Sequence, residues 1–172
     1  MNFLILLAIV LPATAVAVTS YFLLRNFLNS QEKQKLFSIK SENQKEALPL
    51  RLQAYERIML MLERMRPGSL LFRVDSSGLT AAEFQGKLLS DIRNEFEHNL
   101  SQQIYLSVAV WPLITAAREE MVRLINSAAL ELSEDATGKD LAQLIFQKSV
   151  EQDILAVDKA GKALKAEVQQ LF

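Results

Sequence analysis

Large apolar side chains dominate residues 3–24 without a single Asp, Glu, Lys or Arg, and the pattern then changes abruptly. As a helix that stretch would rise about 33 Å, enough to cross a hydrocarbon core of about 30 Å. It predicts a transmembrane anchor over residues 1–25. Pro12 falls mid-span, where membrane helices tolerate proline, and Tyr21 suits the interface near the end. Residues 26–47 are polar and rich in Gln and Lys, with too few large apolar groups for a core of their own. They read as a helical stalk or tether. From residue 48 the period becomes that of an amphipathic helix. Leu48, Leu52, Tyr55, Met59, Leu62 and Met65 recur three and four apart behind Pro49, a good first helical residue, and Pro67-Gly68 ends the run.

The next apolar stretch, residues 70–74, reads as an extended or packed loop, followed by a turn at Asp75 to Gly78. Thr80 and Glu83 have capping-box spacing and open a second helix carrying Phe84, Leu88, Ile92, Phe96, Leu100 and Ile104. A third helix carries Trp111, Ile114, Met121, Leu124, Ile125 and Ala128. Pro112 places its regular start near Trp111, because an interior proline costs about 3 kcal/mol. After a break at residues 133–138, Leu141, Leu144, Ile145, Lys148, Gln152, Leu155, Val168 and Leu171 mark a last helix whose stripe weakens at Gly161. The expected fold is all-α: a transmembrane helix, then an antiparallel bundle of about four helices over residues 48–172.

Charge sets the orientation. Arg25, Lys33, Lys35, Lys40 and Lys45 follow the apolar span and no basic side chain precedes it. The positive-inside bias then puts the N-terminus outside and the bundle in the cytoplasm. A cleaved signal peptide competes, since Ala15-Val16-Ala17 fits an A-x-A site and would release a secreted bundle. Against it stand the missing basic n-region and the resumption of the apolar run at residues 21–24. The chain has no cysteine, and its 19 basic and 20 acidic residues leave no basic excess for nucleic acid.

Candidate chemistry is sparse. Glu95 and His98 have the Glu-x-x-His spacing of carboxylate metal bundles, but His98 is the only histidine, so one protomer cannot complete such a site. Met59, Met61, Met65 and Met121 read as packing rather than as soft-metal ligands. No nucleophile elbow, Walker loop or dinucleotide fingerprint appears among five glycines. The run at residues 108–114 reads as the start of a core helix. Any exposed part would make Trp111 an anchor for a partner, and the terminal Val168, Leu171 and Phe172 are expected to pack on the bundle. The most densely polar face carries Arg93, Glu95, Glu97, His98, Gln102 and Gln103, the candidate interaction surface.

Residues 48–66 (LPLRLQAYERIMLMLERMR) and 92–107 (IRNEFEHNLSQQIYLS) resemble an uncharacterised family of small membrane-anchored helical proteins from Bacteroidota-type bacteria. The similarity extends to the N-terminal span, the Trp111 helix with residues 125–129, and the closing Leu171-Phe172. It implies bacterial origin and anchoring at the inner membrane, and assigns no cofactor or catalytic residue. The expectation is a non-enzymatic, membrane-tethered module that binds a protein partner or a second copy of itself. The alternative is a metal- or small-ligand-binding bundle, or a carboxylate enzyme, centred on Glu95 and His98.

Overall fold

The computed structural model describes the backbone of residues 2–151 and 155–172, with side chains at 14, 19–32, 34, 35, 38, 42, 45–151 and 156–172. Among the described residues all regular structure is helical: α1 (Asn2–Met65), α2 (Pro67–Arg73), α3 (Ala81–Asn99), a 3₁₀ segment (Leu100–Tyr105), α4 (Trp111–Leu130), α5 (Gly138–Glu151) and α6 (Leu155–Gln169). The chain forms two compact units, Met1–Leu48 and Pro49–Phe172. In the first, every described side chain from Thr14 to Ala47 is exposed, so the unit has no interior among its described residues.

The transmembrane expectation is corrected here. Among the described residues no helix is long and apolar enough to cross a membrane. The physical reason lies in the described part of the N-terminal segment. From Arg25 onward α1 carries charged and exposed polar side chains, Glu32 and Lys35 among them, at intervals too short for the run of about 20 apolar residues that a span needs. The side chains of residues 3–13 and 15–18, on which the expectation rested, lie outside the described residues. The single-pass topology and the inner-membrane location fall with it.

The second unit is built on one apolar core. Ile58, Met61, Leu62 and Met65 of α1, Leu70 of α2, Phe84, Leu88 and Ile92 of α3, Ile114, Met121 and Ile125 of α4, and Leu141 of α5 are all fully buried. Helix α4 packs against α3, α5 and α6, while α5 also meets α3 and α2. The rings of Phe96 and Trp111 lie 5.5 Å apart at one end of the α3–α4 pair. At the other end Gln85 donates to Asn126 at 2.9 Å, so the two helices run antiparallel. At the α6 contact Gly161 leaves the thioether of Met59 4.0 Å from where a Cβ would sit.

Four helices become more. Pro67 starts a fresh helix, α2, because it needs no N–H partner at that position, and its contact with α5 buries Leu70. The expected last helix is two, α5 and α6, and Gln152 lies outside the described residues. The α1 stripe is also rotated: Ala54, Tyr55, Ile58 and Met61 point inward, whereas Leu48, Leu52 and Met59 are half-buried. Leu100 and Ile104, expected in the core, are exposed because the α-helix has given way to 3₁₀ geometry, which turns its side chains off the α3 stripe.

Two joints fix the helix starts. Thr80 Oγ1 accepts from the Glu83 N–H at 3.2 Å, and Glu83 accepts from the Thr80 N–H at 2.9 Å, completing the expected capping box. Thr137 and Asp140 repeat the device at α5 with bonds of 3.4 and 2.9 Å. An antiparallel bridge joins Thr80 to Thr137 through Ala81 N–H to Ala136 O and Gly138 N–H to Leu79 O, each 2.8 Å.

Candidate functional site

Helix α1 carries a second stripe beside its core stripe. Leu50, Gln53, Arg57, Leu60 and Arg64 recur at alternating spacings of three and four, so they lie along one line of the helix. That line faces the end of α3 and the 3₁₀ segment. Two adjoining cavities open along the seam, of about 310 and 220 Å³. The larger is lined by Leu50, Gln53, Arg57, Gln102, Ile104 and Tyr105 among others, and the smaller by Arg57, Leu60, Arg64, Glu95 and His98. Arg57 borders both.

Ion pairs set the floor of the smaller cavity. Glu95, only 18% exposed, receives Arg64 at 2.6 Å and Arg73 at 3.5 Å. Arg73 also grips Asp91 with both terminal nitrogens, at 2.9 and 2.6 Å, a fork geometry that fixes the guanidinium plane. These contacts tie α1 and α2 to α3. Above them His98 is exposed, and beside it Asn99 is buried with its amide donating to the Glu95 carbonyl at 2.8 Å.

A second polar cluster closes the α6 side of α1. The Tyr55 hydroxyl donates to Glu167 at 2.7 Å and accepts from Arg51 at 2.8 Å. Its single proton cannot also serve the Tyr105 carbonyl, which lies farther away at 3.4 Å. Ser107 adds its N–H at 2.9 Å and its hydroxyl to the same carboxylate. Burial opposes the charge on Glu167, but the hydrogen bonds from Ser107 and Tyr55 outweigh it and hold the carboxyl below its ordinary range. Tyr55 is pushed up, first by burial and then by its bond to Glu167.

The six residues of the expected polar face do not form one surface. Glu95, His98 and Gln102 share the α1–α3 seam. Arg93 lies on the other side of α3, toward α4. Glu97 and Gln103 are exposed, and the Gln103 carbonyl accepts from the Leu106 N–H to close the 3₁₀ segment. Glu95 sits in an ion-pair hub, where a cation would have to displace two guanidinium groups. Among the described residues no three His, Cys, Asp or Glu side chains converge as metal ligands do. Trp111 is half-buried against Phe96, while Val108 and Phe172 stand in solvent. Arg57 and Leu60 belong to the seam but were not in the expected face. Their signal is the second three-and-four stripe on α1, which the stronger core stripe obscures.

A family model described as a family of unknown function, DUF7935, matches residues 1–171. The chain belongs to that family. The DUF7935 match takes in both compact units, including the seam and the Tyr55–Glu167 cluster. No curated protein and no solved structure matches the chain.

Proposed function

We propose that this protein is a helical interaction module without catalytic activity, which recognises a protein partner through the α1–α3 seam. The observation that supports this is the pairing of exposed large apolar side chains with fixed charge along one line. Leu60 is 58% and Ile104 75% exposed, and Leu50 and Leu100 are also in solvent. Such groups beside Arg57 and His98 make an apolar-and-charged surface of the kind that partner helices use. The strings at residues 48–66 and 92–107, which supply both sides of the seam, also support bacterial origin of the Bacteroidota type as part of this reading.

The test is crosslinking capture of the full-length tagged chain from its native cells, with Leu60→Glu and Ile104→Glu as variants. A partner, or a second copy, captured by the parent protein and lost from both variants would support the seam. The same partners recovered undiminished by both variants would remove the seam as the recognition surface. Circular dichroism of each variant checks that the helices survive, as expected for side chains already in water.

A further inference from the structure

A separate cavity lies between α3 and α4, and three arginines gather around it. It has a volume of about 510 Å³, within the ~300–1,000 Å³ typical of small-molecule sites. Leu89, Ile92 and Val122 give it apolar walls, and Arg93, Arg118 and Arg123 line it with a single carboxylate, Glu119. Elsewhere Arg64, Arg66 and Arg73 each hold a carboxylate at 2.8 Å or closer. Here Arg93 has no carboxylate partner among the described residues. Arg123 reaches Glu119 only at 3.9 Å, with both side chains mostly in water. Arg118 lies over the Phe96 ring, 4.5 Å from its centre, which orders the guanidinium without neutralising it.

Three guanidinium groups against one carboxylate, beside an aliphatic wall, are complementary to one kind of molecule. We infer that this cavity binds an anionic amphiphile, a carboxylate or phosphate head on an aliphatic body. The head would sit among Arg93, Arg118 and Arg123, whose planar forks suit either oxyanion. The body would lie against Leu89, Ile92 and Val122. This site is on the opposite side of α3 from Glu95 and His98 and does not depend on the seam.

The single tryptophan makes the site measurable. Trp111 stacks near Phe96, which carries Arg118, so an anion at Arg118 changes the surroundings of the indole. The full-length chain is titrated with decanoate and decyl phosphate below their micelle concentrations. Acetate supplies the head without the body, and decyltrimethylammonium the body with the wrong charge. Fluorescence follows Trp111 and calorimetry counts sites. Saturable binding of decanoate or decyl phosphate, one per chain, with neither control bound, is expected, and the tighter of the two identifies the head. Arg93→Gln and Arg118→Gln should each weaken it by about tenfold, whereas Lys159→Gln, at an exposed position of α6 that does not line the cavity, should leave it unchanged. Arg93 is exposed, so its variant carries the test even if Arg118→Gln disturbs the fold. Failure of both anions to saturate, equal binding of the ammonium, or unchanged affinity in Arg93→Gln would overturn the inference.

Discussion

Glu167 ties three parts of the chain together, since it collects hydrogen bonds from Tyr55 on α1 and from Ser107 ahead of α4. Its carboxyl is held below the ordinary value of 4.5 in the folded chain. A lowered pKa means that its stabilisation is present above about pH 4.5 and is lost as pH falls through the folded value. Tyr55 works at the other end of the scale: raised above 10.0, it favours the folded chain below about pH 10, and that support goes as pH rises through its folded value. Glu167→Gln keeps one acceptor oxygen but loses the charge. It should lower stability at pH 7 by about 1–2 kcal/mol, somewhat under the ~1.5–3 kcal/mol of charge-assisted bonds because the carboxylate is only half-buried. Its acid limb in a plot of melting temperature against pH should be shallower than that of the parent. Parallel acid limbs would show that Glu167 does not titrate with folding. None of this was legible in the sequence. Tyr55 was placed correctly on a core stripe, but a partner 112 positions away leaves no periodic trace.

At the scale of elements, the helix starts were legible where side chains cap their own backbone. Thr80 with Glu83 announces α3, and Pro112 places the start of α4 at Trp111. Thr137 with Asp140 uses the same local chemistry at α5, and it too could have been read from the spacing. The bridge between the two caps could not, because it pairs two loops far apart in the chain. Gly138 is the tightest point of that bridge. A Cβ there would come within 2.9 Å of the Ser76 carbonyl oxygen, 3.1 Å of the Phe84 Cβ and 3.3 Å of the Leu79 carbonyl oxygen. Two of the three obstacles are backbone and have little room to yield. Gly138→Ala should therefore destabilise the chain by about 1–3 kcal/mol despite its better helix propensity. Gly86→Ala, with nothing near its Cβ position on the same helix as the other cap, should stabilise instead. Thermal melts of the two variants check the contrast, and a neutral Gly138→Ala would mean the bridge is loose.

At the scale of the whole second unit, the six α-helices share one buried cluster, so none of them has an interior to itself among the described residues. The all-helical class followed from apolar residues three and four apart. The rotation of α1 did not, because Leu52 and Met59 are as apolar as Ile58 and Met61, and only the positions of the neighbouring helices choose between them. That choice has a measurable consequence. Ile58 is fully buried on α1, while Trp111 reports from α4. If one core holds the unit, Ile58→Ala should cost about 2–5 kcal/mol and shift the urea midpoint read at Trp111 by the full amount. Leu52→Ala, on the half-buried edge of the same helix, should cost clearly less. A Trp111 transition that ignored Ile58→Ala would mean that α1 unfolds apart from α4. The seam along α1 would then be a surface presented by a detachable helix rather than by a fixed one.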